Sequence, residues 1–261
     1  MLGDGVLTIP WLRARADNLV ATRGGTPPRV WLVAHLDSKS QPIPSALRVA
    51  AIVLLALGVL TTLAACALTL GGASARTLWQ VGAIAATAGA IPAMLSVVGN
   101  NSHGAVDNAS GVAAVLAAAA MVPSELALGV LLPSAEELGL AGARAWVRAH
   151  SAQRATMLNC DGVDDEGELT IMYSGSLPKS LVSVLAQSAE RAPRVRRMPL
   201  GLLTDSVAFA SAGWDAVTVS RGSLATLRRV HTRRDSLDAL RGDGLREVSV
   251  VLARAAEALG R

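Results

Sequence analysis

Aromatic residues are scarce in this chain. They make up 3% of its 261 residues, with one Tyr and one Phe, although hydrophobic residues as a whole reach 51%. The apolar content therefore comes from Ala, Leu and Val. With a mean hydropathy of +0.42 it exceeds what an ordinary soluble enzyme carries. Cysteine is scarcer still, and neither Cys66 nor Cys160 sits in a C-x-x-C spacing, which argues against a disulfide framework or a thiolate metal site. The formal charge of +4 comes from scattered residues. Without a basic stripe interleaved with aromatics, nucleic acid is not an expected partner. The opening residues, MLGDGVLTIPWLRARADN, lack a charged stretch leading into an apolar one, so the sequence predicts no cleavable secretory signal.

Charge is also missing from two long stretches. None occurs from Val49 to Ala75, and after Arg76 none from Thr77 to Ser102. Each stretch supplies the ~20 residues a spanning helix needs. Gly71-Gly72 reads as a tight turn between them, Gly58, Gly82 and Gly89 allow close helix approach, and Pro92 is tolerated inside a membrane. The prediction is a transmembrane hairpin over 47–98, with helices at about 47–70 and 77–98. It interrupts an α/β domain formed by 1–46 and 99–261 and makes membrane lipid a partner. A pair of buried core helices is the alternative. Arg13, Arg15, Arg23, Arg29, Lys39 and Arg48 precede the hairpin, whereas Arg76 stands alone in its turn, so the rest of the chain is expected on the cytoplasmic side.

The remainder alternates apolar runs with helix-like segments, the pattern of an α/β fold. VWLVA stops at His35-Leu36-Asp37, ALGVLLPSAEELG reaches Glu136-Glu137, and RATMLNCDG reaches Asp161. WDAVTVSRG is followed by a loop that carries His231, and Asp107-Asn108 precedes the helix-like run Gly111 to Met121. Each residue alone has a bland reading: a satisfied histidine, a helix cap, a turn former. Together they put imidazoles and carboxylates at the carboxyl ends of apolar runs, where open α/β sheets bind ligands.

The order of motifs resembles the di-zinc exopeptidases of the aminopeptidase Y family, which includes glutamate carboxypeptidase-like and glutaminyl-cyclase-like members. The resemblance rests on H-x-D (His35–Asp37), D-N-A-S-G (Asp107–Gly111), E-E-x-G-L-x-G (Glu136–Gly142), N-x-D (Asn159–Asp161) and a late H-T-x-x-D (His231–Asp235), with TDSVAFASAGWDAVTV as a further piece. It covers about Asn18 to the end, minus the hairpin, and single motifs of this kind carry weight only through their order.

The resemblance implies a three-layer sandwich around a mostly parallel mixed sheet, and two Zn²⁺ ions. His35 and Asp161 are implied as ligands of one metal, Glu137 and His231 of the other, with Asp107 bridging. Asp37 is implied to orient His35, and Glu136 to be the general acid/base that hydrolyses a terminal peptide bond through metal-activated water. Mn or Co could occupy such a site as well. A peptide is then the expected substrate, and an aminopeptidase the leading reading. A carboxypeptidase or a cyclising enzyme of the same fold stays open, as does an inactive peptidase-like platform, although a complete residue set argues against the last. Tyr173, Phe209 and Trp214 are candidate pocket residues, with core packing the favoured role for Phe209; Arg221 is a candidate for a substrate carboxylate, and His103 fits no motif position.

Overall fold

The computed structural model describes residues 15–199 and 201–261. Residues 1–14, which carry most of the secretory-signal argument and Arg13, lie outside the described residues. Seven strands form one sheet in the order β1-β3-β2-β4-β7-β5-β6. They are β1 (Leu19–Arg23), β2 (Val30–Val33), β3 (Leu128–Leu132), β4 (Thr156–Val163), β5 (Glu168–Tyr173), β6 (Arg194–Arg197) and β7 (Asp215–Gly222). The pairings β2–β3, β2–β4, β4–β7 and β5–β6 are parallel, while β1–β3 and β5–β7 are antiparallel. β2 and β3 are buried at every position and uniformly apolar or glycine, as central strands covered on both faces must be. β6, RVRR, is exposed throughout and charged, which suits a sheet edge.

Helices cover both faces. α3 (Gly111–Met121), α5 (Lys179–Ser188) and α8 (Asp243–Gly260) pack over one core that includes Leu32, Leu158, Val217, Val115 and Leu252. α4 (Ala141–Ala149) and α6 (Asp205–Ser211) close the other, built on Trp31, Val33, Met157, Phe209 and Trp214. This is the three-layer sandwich expected from the sequence. Phe209 is fully buried, in the core role favoured for it, and Trp214 is nearly so, although it also borders a cavity with Trp31, Trp146 and His150. α7 (Leu224–Arg229) follows β7.

α1 (Ser45–Leu70) and α2 (Arg76–Met94) form a hairpin that packs on itself. The approach is close because glycine permits it: a Cβ on Gly89 would fall 2.4 Å from Leu55 N, and one on Gly58 2.3 Å from Ala86 N. Leu54, Leu57, Leu60, Leu63 and Ile84 are exposed, so the hairpin is not enclosed by the described part of the chain. One boundary differs from expectation. α2 ends at Met94 rather than 98, because the chain beyond it turns back to an isolated bridge at the base of the hairpin, where Ser40 N donates to Gly99 O (2.9 Å) and Gly99 N to Ser40 O (2.8 Å). Among the described residues α1 alone is long and apolar enough to cross a membrane, over Ala46–Leu70 with a mean hydropathy of 2.5. α2 opens on Arg76 and carries Gln80 within its 19 residues, which dilutes its apolar character.

Candidate active site

Backbone geometry at the carboxyl edge of the sheet determines where each side chain points. His35 lies just past β2 and is 1% exposed. Its Nδ1 lies 2.9 Å from the main-chain oxygen of Asp37. A carbonyl only accepts, so Nδ1 carries the proton and Nε2 is left to face the site. The Asp37 carboxylate has another task. It accepts from the main-chain N–H groups of Glu136 (3.0 Å) and Glu137 (3.1 Å). Asp37 therefore orients His35 chiefly through its carbonyl, the carboxylate being 3.7 Å from Nδ1, and it clamps the turn that presents the two glutamates. That turn passes through Ala135 at φ 57° and Gly139 at φ 89°. The alanine conformation is one that surrounding structure has to impose.

Asp107 sits in a tight turn, Ala105–Ser110, that leads into α3, and the Asp107–Asn108 peptide is cis. Asp235, fully buried, accepts from Val106 N (2.7 Å) and Asp107 N (3.2 Å). Asn108 accepts from Gly162 N (3.2 Å) and donates to Cys160 O (3.0 Å), tying this turn to β4 beside Asp161. Gly111 closes the turn because a Cβ there would lie 2.1 Å from Asn108 Oδ1 and 2.7 Å from Cys160 O. Asp161 lies within β4 rather than at its end, at an irregularity between Cys160 and Val163 where Gly162 adopts φ 70°. His231 follows α7 at φ 65°.

These five side chains come together as two triads with one member in common. His35 Nε2 lies 3.1 Å from Asp107 Oδ1 and 3.7 Å from Asp161 Oδ1. His231 Nε2 lies 3.0 Å from Asp107 Oδ2 and 2.9 Å from Glu137 Oε1. In each triad one nitrogen or oxygen per residue lies within 4.8 Å of the others. Asp107 thus gives one oxygen to each side. Glu136 is buried (7% exposed) and stands outside both triads. Sequence reasoning missed three neighbours. Lys39 Nζ pairs with Glu137 Oε2 at 2.5 Å; Asp235 was quoted in a motif but given no role. Asp205 is fully buried, and neither of its oxygens has a hydrogen-bond partner. Asp205 lies in the segment TDSVAFASAGWDAVTV that the resemblance includes, so the motif offered a signal where apolar patterning did not. Arg221 is taken up by Glu247 (2.9 Å) and by the carbonyl of Asp164 (2.6 Å), and Tyr173 is half-buried at the end of β5. His103 lines a polar cavity of about 420 Å³ with Asn100, Asn101, Ser102 and Arg233, close in the chain to Asp107 and His231.

Proton affinities follow from this crowding. Burial opposes charge on both imidazoles, yet the facing carboxylates outweigh it, so His35 is held well above the ordinary range and His231 is raised to about 9. Burial likewise raises Asp107, but its contacts with His231 and His35 prevail and hold it low. Glu136 is pushed up to about 10, first by burial and then by the Asp161 carboxylate. Burial also takes Asp205 to about 7. Without metal the cluster therefore holds several protons against its surplus of carboxylates.

The donor set fits divalent cations. Glu137 Oε1 and His231 Nε2 approach to 2.9 Å, Asp107 Oδ2 lies 3.0 Å from the same nitrogen, and neither Glu137 Oε1 nor His231 Nε2 has a hydrogen-bond partner. Lone pairs that converge without meeting a donor point at a shared centre, and imidazole plus carboxylate is what zinc takes in open catalytic sites. A carboxylate shared between two such triads on a sheet edge is an arrangement able to hold metal at two adjacent positions.

The chain belongs to peptidase family M28, whose family model matches residues 18–256. Its fold resembles an aminopeptidase from Aneurinibacillus sp. strain AM-1 (TM-score 0.60, 17% identity, 94% of this chain and 48% of that one). It also resembles BSAP, a zinc aminopeptidase from Bacillus subtilis (TM-score 0.59, 18% identity, 92% and 49%), and the LapA aminopeptidase of Legionella pneumophila (TM-score 0.60, 16% identity, 94% and 54%). The chain spans about half the length of these structures, and at such identities the likeness is one of fold. None of the curated proteins matches it significantly.

Proposed function

We propose that this chain is a membrane-anchored, zinc-dependent exopeptidase, an aminopeptidase of the aminopeptidase Y type, that hydrolyses the terminal bond of a peptide. The observation that carries this reading is the division of Asp107, with Oδ1 at 3.1 Å from one imidazole and Oδ2 at 3.0 Å from the other. His35, Asp161 and Asp107 would hold one cation, and Glu137, His231 and Asp107 the second. A bound pair supplies Lewis acidity for the scissile carbonyl and acidifies water.

The chain's own residues do the rest. Asp37 fixes the Glu136–Glu137 turn through two main-chain hydrogen bonds, so that the neighbouring carboxyls take different roles. Glu136, free of both triads, takes the proton from water and returns it to the departing amine. Asp235 holds the main chain of Asp107, and Lys39 occupies the second oxygen of Glu137, leaving Oε1 for the cation. The hairpin anchors this apparatus, and the arginine-rich segment before it argues for a cytoplasmic site. Protease protection in vesicles of known sidedness tests that orientation.

The deciding experiment is metal analysis of the detergent-solubilised protein together with hydrolysis of aminoacyl fluorogenic substrates, with and without chelator. Two equivalents of zinc and chelator-sensitive turnover are expected; less than one equivalent and no turnover would refute the reading. A second reading rests on Arg233, whose place in the polar cavity suits a substrate carboxylate and favours a carboxypeptidase. Peptides blocked at one end or the other separate the two.

A further inference from the structure

The segment from Leu224 to Leu237 combines exposed leucines with exposed arginines around a site residue. Leu224 is 75% exposed, Leu227 54% and Leu237 75%. Leu224 and Leu227 are three apart on α7 and share a face. Arg228, Arg233 and Arg234 lie exposed between them and Leu237, and His231 sits in the middle of the segment.

This segment is joined to the foot of the hairpin. Gln41 N donates to His231 O at 3.0 Å, and Gln41 immediately follows Ser40, which pairs with Gly99 where the hairpin returns. Only Gln41–Pro44 separate that junction from α1, and α1 packs against α7. Both feet of the hairpin therefore leave from the carboxyl edge of the sheet beside His231. Apolar exposure continues there, with Leu95, Val97 and Val98 on the returning strand of chain and Leu138 in the loop after Glu136-Glu137.

We propose that Leu224–Leu237 is an interfacial segment that seats on an anionic lipid surface next to the hairpin, so that the site works on chain ends presented at the bilayer. The occupant is argued from continuity: a bilayer that takes up the hairpin has its near face at the hairpin's feet, to which this segment is joined by the Gln41–His231 hydrogen bond and the α1–α7 contact. Leucines on one face with arginines beside them are the composition that partitions into a headgroup layer and is drawn to acidic lipid. A protein partner would not need the patch to coincide with the plane of the hairpin's feet. The inference rests on the membrane-anchor part of the proposed function.

The test places an environment-sensitive dye on single accessible cysteines of the whole chain, in a Cys66→Ser background that leaves only the buried Cys160, reconstituted in phosphatidylcholine–phosphatidylglycerol vesicles that carry headgroup-proximal nitroxide. Labels go at Leu227 and Leu237, at Leu60 within the hairpin, and at Gln153, which is exposed in the loop before β4. The expected result is a blue shift and several-fold stronger quenching at 227 and 237 than at 153, with 60 buried deeper still. Quenching at 227 and 237 no stronger than at 153 overturns the proposal, even if 60 is deep. A water-exposed label at 60 overturns it together with the anchor. The enzymatic reading is judged separately, by chelator-sensitive turnover in detergent. As a second readout, the double variant L227S/L237S should lose turnover of a lipid-anchored peptide several-fold while keeping that of the same peptide free in solution. Equal loss on both substrates, or on neither, also overturns the proposal.

Discussion

Glu136→Gln tests the site in two states at once. The substitution keeps shape and volume, and the main-chain N–H of residue 136 still bonds to Asp37 Oδ1 at 3.0 Å, so the turn survives. The side chain belongs to neither triad, and zinc content should stay near that of the wild type. Turnover should fall by the ~10²–10⁴-fold that a lost general acid/base removes, about 3–5 kcal/mol of barrier. Metal-free protein gives an independent check. Glu136 is raised to about 10, first by burial, whereas an unfolded glutamate titrates near its ordinary value. Between those values the folded state binds the extra proton, so stability falls as pH rises through the window, by at most ~1.4 kcal/mol per pH unit. Glutamine has no such proton. In chelator, the thermal midpoint of Glu136→Gln should exceed that of the wild type, and the gap should widen from pH 6 to pH 8. A gap that does not change with pH, or loss of metal in the variant, refutes this account of Glu136.

Other expectations follow from the same geometry. Asp107→Asn should bring the bound metal from two equivalents to less than one by elemental analysis, because both triads lose their shared anion. Cation binding should release imidazole protons at pH 7, since metal-free His231 is raised to about 9 with His35 also high; burial opposes this, but the carboxylates outweigh it. Apparent metal affinity should therefore climb with pH until about 9 and then level off, as calorimetry in buffers of different ionisation heat would show. Asp235→Asn should weaken metal affinity by about 10–100-fold, as loss of support behind a ligand does, because an amide cannot accept from both Val106 N and Asp107 N; a competitive chelator titration reads this out. Gly89→Leu should splay the hairpin, since a Cβ already meets Leu55 N at 2.4 Å, and engineered cysteine pairs across α1 and α2 should then cease to cross-link.

Much of the site could be read from the sequence because its chemistry is concentrated at or near strand ends, where continuous apolar runs stop and polar residues have no packing reason to appear. His35, Asp107, Glu137, Asp161 and His231 converge as the motif order implied. What the sequence hid were relations between segments far apart in the chain. Asp235 and Asp107 N are joined across 128 positions, and the Asp37 carboxylate and Glu136 N across 99. No local pattern marks the carboxylate of Asp37 as a clamp on a turn rather than a partner of His35. The same holds for Trp214: aromatic scarcity makes it look like a pocket residue, but only the fold reveals that it packs with Phe209 in the core.

The hairpin shows why such an insertion leaves the sheet edge intact. It separates His35 from Asp107 in the chain, yet its two feet are tied by the paired hydrogen bonds of Ser40 and Gly99. Closing a long loop at its base removes most of the conformational freedom that its length would otherwise give the ends. Beyond that tie, Lys39 reaches Glu137, Gln41 N holds His231 O, and a Cβ on Gly104 would collide with Ser38. The base of the insertion thus contacts elements carrying Glu137, His231 and Asp107. If the hairpin acts only through this closed base, replacing residues 45–94 with a short flexible linker that preserves the Ser40–Gly99 tie should leave zinc binding unchanged and abolish membrane association. Loss of zinc together with the membrane would show that the helices themselves hold the site in shape.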